Sequence, residues 1–158
     1  MTVFETTRRV PYTAAQMYAL VLDIEAYSEF MPLCSGSHVT SRRQLDGGRE
    51  ELIAVLHVAH ARTGIRGSFE STVTADPAAC TIAAESSTGL IKRLHNEWQF
   101  RDRPGGGSVI LFSIEYRLRS WALQTLLTSL YDRAFEAITR AFLERARIIY
   151  GTVDRASA

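Results

Sequence analysis

Residues 121–150 read WALQTLLTSLYDRAFEAITRAFLERARIIY, and this stretch decides the fold. Leu123, Leu127, Leu130, Ala134, Ile138, Ala141 and Phe142 recur every three or four positions, the period of one helix face. The spacing predicts a single amphipathic helix, about 45 Å long at 1.5 Å per residue, stopped by Gly151. Upstream of it the pattern changes to strands. Ser37–Leu45, Glu50–His60, Ile65–Ala75, Thr81–Ser87, Ile91–Arg101 and Ser108–Arg119 form six strand-like runs. Turn residues separate them at Asp46-Gly47-Gly48, Asp76-Pro77, Gly89 and Pro104-Gly105-Gly106-Gly107. Within 91–101, Leu94, Asn96, Trp98 and Phe100 share one face, and Arg93, His95, Glu97, Gln99 and Arg101 share the other. Ile110, Phe112, Ile114, Tyr116 and Leu118 share a face of the last run, as Phe69, Ser71 and Val73 do in 65–75.

Ahead of these runs, Thr2–Val10 has strand composition and ends at Pro11. Thr13 and Gln16 have the spacing of a capping box before Met17, Leu20 and Val21. Asp23 is placed to cap a second short helix, with Ile24, Tyr27 and Phe30 on one side. The order is β, α, α, six β, long α: an α+β domain over residues 1–151, with 152–158 a loose tail. Tight turns make the sheet antiparallel, and the first strand should join one edge of the meander. Seven strands at about 4.8 Å span over 30 Å, while a helix is about 10–12 Å across. One helix covers such a face only if the sheet curls around it. A curled sheet gripping a helix leaves a cavity, here expected to be lined by Trp98, Phe100, Phe112, Tyr116 and Phe135 and suited to a hydrophobic ligand.

Composition narrows the classes. Hydrophobic residues are 46% and charged residues 22%, and Lys+Arg 18 against Asp+Glu 17 gives a net charge of +1. That balance argues against DNA as a partner. The longest apolar run, Met17–Leu22, is too short to span a membrane. The N-terminus has neither a basic nor an apolar segment, so no signal peptide is expected and the location should be cytoplasmic. Cys34 and Cys80 are far apart and form no CxxC, so reduced thiols are expected.

Three stretches carry a family resemblance. Residues 23–34, DIEAYSEFMPLC, resemble the D-V-E-x-Y-P-x-F-L-P-W-C segment of the coenzyme Q-binding START-domain family, which also includes the bacterial ribosome association toxins. Residues 92–100, KRLHNEWQF, are similar to its L-x-N-x-W-x-F strand, and residues 141–151, AFLERARIIYG, to its A-F-x-x-R-A-x-x-x-Y-G ending. Ser28, Leu33 and Leu90 depart from the pattern, standing where proline, tryptophan and proline are common. The resemblance implies the START-like helix-grip fold of the polyketide cyclase superfamily. It also implies non-enzymatic binding of ubiquinone or a related isoprenoid, as a bound ligand and not a cofactor, in support of respiratory electron transport. A ribosome-directed regulator is the alternative, and a cyclase or aromatase the third possibility. The ligand-binding residues expected on this basis are Phe30, Pro32, Leu33, Leu94, Asn96, Trp98, Phe100, Phe112, Tyr116, Tyr131, Phe135 and Phe142.

The remaining motifs weigh against catalysis and metal. No G-x-S-x-G elbow, Walker loop or dinucleotide fingerprint is present. His57 and His60 form an HxxH, but on a strand an odd spacing sends them to opposite faces, so no metal site is expected. His38 and His95 lack carboxylates at ligand spacing and read as surface histidines. Glu97 falls on the face opposite Trp98. Asn96, the sole asparagine, needs partners on an apolar face: the backbone, Tyr116 or a ligand carbonyl. Phe30-Met31-Pro32-Leu33 reads either as a plug or as the mouth of the cavity, with transient contact to the inner membrane. The arginines are mostly a solvated face, open to anionic headgroups or to the ribosome.

Overall fold

The computed structural model describes residues 2–61 and 64–152, with side chains for all of these except residues 2, 123 and 126–135. β1 (Thr2–Val10) leads into α1 (Ala14–Leu22) and a 3-10 helix (Ile24–Glu29). β2 (Cys34–Gln44), β3 (Glu50–His60), β4 (Ile65–Asp76), β5 (Thr81–Ser86), β6 (Ile91–Asp102) and β7 (Ser108–Leu118) follow, and α2 (Trp121–Tyr150) closes the chain. The strands form one seven-stranded sheet in the order β1-β7-β6-β5-β4-β3-β2, every neighbour antiparallel. β1 adds beside β7, the edge opposite β2. The curved sheet holds α2 in the START-like arrangement.

Local chemistry sets the boundaries. The Thr13 hydroxyl accepts the Gln16 N–H at 3.1 Å and the Gln16 side chain accepts the Thr13 N–H at 2.9 Å, so the capping box forms. Asp23 behaves otherwise than expected: its side chain caps nothing, and its N–H donates to the Ala19 carbonyl at 3.2 Å to end α1. The segment after it is two turns of 3-10 helix, and no side-chain cap forms at its start. β2 starts at Cys34, three residues before the expected Ser37. The Ala59 N–H donates to the Leu33 carbonyl at 3.0 Å, which brings the chain onto β3 early. Bulges at Cys34/Gly36 and Val39/Ser41 absorb the extra length.

The core lies between the sheet, α1 and the C-terminal half of α2. Met17 and Leu52 are fully buried, with Val21, Ile82, Phe100 and Phe142 close to it. This end is closed by polar ties. The Ala14 N–H donates to the Asp102 carboxylate at 2.8 Å, the Tyr12 hydroxyl to the Gly151 carbonyl at 2.9 Å, and the Tyr150 hydroxyl to the Gln16 carbonyl at 2.8 Å. Gly151 has φ 87, and its N–H donates to the Arg147 carbonyl, ending α2 where expected. The tail from residue 153 onward lies outside the described residues. No helix is long and apolar enough to cross a membrane, among the described residues.

Candidate functional site

A cavity of about 560 Å³ lies between the concave face of the sheet and α2, within the range typical of small-molecule sites. It reaches away from the end that α1 closes, toward the starts of β4 and β6 and the ends of β3 and β7. Its described lining is overwhelmingly apolar and comes from every layer. Val21, Ile24, Tyr27, Met31, Pro32 and Leu33 contribute from the N-terminal helices and the loop after them, and Ala137, Ile138 and Phe142 from α2. Strand alternation supplies the rest. Leu56, Val58 and His60 point inward from β3, and Ile65, Phe69, Ser71 and Val73 from β4.

Of the expected ligand-binding residues, Pro32, Leu33, Leu94, Asn96, Trp98, Phe112, Tyr116 and Phe142 lie on the cavity wall. Two do not. Phe30 turns behind the wall, edge-on to Phe142 at 5.2 Å and to Tyr27 at 6.0 Å, with the Arg145 guanidinium 5.2 Å from its ring centre. Phe100 has the inward orientation that alternation predicts, but it sits at the closed end, edge-on to Tyr18 at 6.2 Å. The side chains of Tyr131 and Phe135 lie outside the described residues.

Phe142 organises the wall. Its ring meets Trp98 at 5.2 Å and Tyr27 at 5.4 Å, and Trp98 meets Phe112 at 4.6 Å, all edge-on. The Tyr27 hydroxyl donates to the Val21 carbonyl, and burial pushes its pKa well above the ordinary tyrosine value. Asn96 finds the backbone partner: its amide donates to the Ser113 carbonyl at 2.9 Å, and its oxygen accepts the Trp98 indole N–H at 3.0 Å. That amide has a second N–H and a second lone pair, and it is set among apolar lining residues. Burial also raises the Cys34 thiol, so it is a neutral wall group beside Leu33.

Histidine chemistry differs from the sequence expectation in two places. His57 and His60 both border the cavity although they point to opposite faces of β3, and the His57 ring lies 5.1 Å from that of His38. His95, expected without carboxylates, lies on the outer face between two. Its ring nitrogens are 3.1 Å from Glu97 and 3.1 Å from Glu85 across the β5–β6 pair. The hydrogen bond to Glu97 is the main reason its pKa rises. Glu97 is thus held on the outer face, as alternation predicts. Among the described residues no group of three or more His, Cys, Asp or Glu is arranged to hold a metal.

The β3–β4 wall escaped the sequence reading of the cavity. Leu56, Val58 and Ile65 carry no aromatic signature, and only the register Leu56↔Phe69, Val58↔Gly67 and His60↔Ile65 brings them onto one surface, which Leu90 joins from the turn before β6 by packing over Gly67.

Known proteins share this architecture. The ribosome association toxin RatA of Vibrio cholerae is 28% identical over 142 residues, covering 90% of this chain and 93% of that protein. The coenzyme Q-binding protein COQ10, mitochondrial, of Dictyostelium discoideum is 24% identical over 149 residues, covering 94% of this chain and 70% of that one. Among solved structures, the 18 kDa protein CC1736 of Caulobacter crescentus is 30% identical with a TM-score of 0.77, covering 96% of this chain and 100% of that one. A START superfamily protein of Mycobacterium smegmatis shares the fold at 18% identity, with a TM-score of 0.75 over 93% of this chain and 98% of the other. The family model for polyketide cyclase / dehydrase and lipid transport matches residues 10–143, and the chain belongs to that START-like family.

Proposed function

We propose that the protein binds ubiquinone or a related isoprenoid lipid in the cavity and serves respiration as a carrier or chaperone, without catalysing a reaction. The apolar cavity of about 560 Å³, with the Asn96 amide set in its wall, carries this reading. A quinone ring suits such a place: its faces are apolar and its carbonyls accept one or two hydrogen bonds. The relative named for coenzyme Q binding supports the ligand class. Glu97 is engaged by His95 on the outer face, away from the cavity, which leaves it unplaced as an acid or base for cyclase chemistry. On this reading the protein is cytoplasmic and meets the membrane transiently to exchange its ligand.

The deciding experiment is mass spectrometry of an organic extract of protein purified from its native host. A prenylated quinone in substantial proportion to protein is the expected result. Finding none, together with no rise in melting temperature on adding quinone, would sink the reading.

A second reading, direct action on the ribosome, is favoured by the RatA relative. It requires salt-sensitive co-sedimentation with ribosomal subunits. The pairs Arg42-Arg43 are weak candidates for that contact, because Glu50 and Glu51 lie 3.4 and 3.2 Å from them across β3.

A further inference from the structure

Charge is distributed unevenly along the long axis of the sheet. Its open end is built from residues 31–36, 57–61, 64–67, 87–94 and 117–122, and these five segments contain no Asp or Glu. Arg66, Lys92, Arg93, Arg117 and Arg119 lie there, and all five are exposed. The end closed by α1 is built from residues 44–51, 75–81 and 100–108, which hold five carboxylates and three arginines. The carboxylates on the flank of the open end are engaged: Glu29 with Arg145 at 3.2 Å, and Glu25 with the Val39 N–H at 3.3 Å. Glu70, the first carboxylate along β4, is the sixth residue from its start.

Three details make this more than a solvated face. Arg93 and Arg117 stand directly opposite each other on β6 and β7, a like-charge pair that destabilises a sheet, with Glu115, opposite His95, as its diagonal carboxylate neighbour on that face. Next to it, a bulge at Ile91/Arg93 makes Lys92, the chain's single lysine, the extra residue. Arg119 spends its hydrogen bonds on the carbonyls of Gly89 and Ser87, at 3.0 and 2.7 Å, so its charge meets no carboxylate there. The same end carries exposed apolar side chains: Trp121 at the start of α2 is 82% exposed and Leu33 is 37% exposed.

An exposed tryptophan and leucine at an end rich in cations is the chemistry of a membrane interface, where the indole sits at headgroup level and Lys and Arg meet anionic phosphates. We infer that the open end of the sheet is a docking face for an anionic phospholipid bilayer, with Trp121 and Leu33 entering the interface and the Arg93–Arg117 pair neutralised by headgroups. This rests on the lipid-cavity reading in one respect: docking sets the opening, through Met31, Pro32 and Leu33, against the membrane that holds the ligand.

The test is sedimentation with quinone-free vesicles of phosphatidylcholine, with and without phosphatidylglycerol, at low and high salt. The wild-type chain is expected to partition onto the anionic vesicles only, and less so as salt rises. Arg93→Glu with Arg117→Glu should lower that partition by roughly tenfold or more, and Arg93→Gln with Arg117→Gln by less. Trp121→Ser should weaken it without changing the melting temperature, since the side chain is 82% exposed. Equal partition onto both vesicle types, binding to neither, or indifference to these substitutions would overturn the proposal. So would preference for ribosomal RNA over anionic vesicles in competition, which would make this an RNA surface. Quinone presented in detergent keeps the two ideas separate. A thermal shift that persists while vesicle binding fails removes docking alone, and docking without any thermal shift removes the quinone cavity alone.

Discussion

Leu33 has φ 69, a left-handed backbone that a branched side chain rarely adopts, and its side chain is 37% exposed at the cavity rim. The conformation is imposed by neighbours: Pro32 cannot continue a helix, and the Leu33 carbonyl is held by the Ala59 N–H. Such strain at a part-exposed rim residue indicates a side chain kept for its place at the opening. Leu33→Glu should therefore fold, losing less than the roughly 2–5 kcal/mol of truncating a buried leucine, and take up quinone from liposomes more slowly than wild type. Unfolding of the variant would mark the segment as a core plug, and uptake at the normal rate would place the mouth elsewhere. His95 supports a pH prediction. Its pKa is raised by Glu97 and Glu85, so the charged cluster stabilises the fold below the ordinary histidine range and ceases to do so as pH rises through the raised value. His95→Gln should lower the melting temperature near pH 5.5 and have little effect near pH 9, with a contribution of at most about 1 kcal/mol because the groups are exposed. An equal loss at both pH values would refute the assignment.

The turn between β5 and β6 connects single residues to whole elements. Gly89 has φ 56, and a Cβ there would lie 1.8 Å from the Ser68 carbonyl oxygen. The backbone itself would have to move, so Gly89→Ala should cost about 1–3 kcal/mol in a denaturant melt and also loosen Leu90, which packs over Gly67 on the cavity wall. A neutral result would show that the turn is not what seats this wall. At this scale the sequence was informative. Period-two alternation assigned Leu94, Asn96, Trp98 and Phe112 to the inner face, and the 3.6-residue period set α2 from Trp121 to Tyr150. Alternation reports a face and says nothing about position along it. Phe100 therefore has the right face and the wrong end, and Phe30 is behind the wall it was expected to form. The early start of β2 depended on one long-range hydrogen bond, Ala59 to Leu33, which no local pattern contains.

For the whole molecule, the mismatch in width between seven strands and one helix accounts for the cavity, and arithmetic on strand and helix dimensions was enough to foresee it. The identity of the walls was less legible, because Leu56, Val58 and Ile65 join the site through sheet register. A ligand that binds the folded chain in its interior and not the unfolded one adds to stability. Quinone at 100 times its dissociation constant should add about 2.7 kcal/mol, raising the melting temperature by roughly 5–10 °C for a chain of this size. A shift under a degree at saturation would mean the ligand binds outside the fold's interior.

The pairing of β1 with β7 also dictates the timing of biogenesis. Val10 must wait for Ser108, its partner about a hundred residues later, and Tyr12 must wait for Gly151. At about 5–20 residues per second, translation keeps the first strand and α1 without their partners for roughly 5–30 s. The nascent chain thus completes its sheet only after β7 has been made, and ties the α1 end only once Gly151 has followed. Premature termination before residue 108 leaves β1 unpaired and the sheet without its β1–β7 edge.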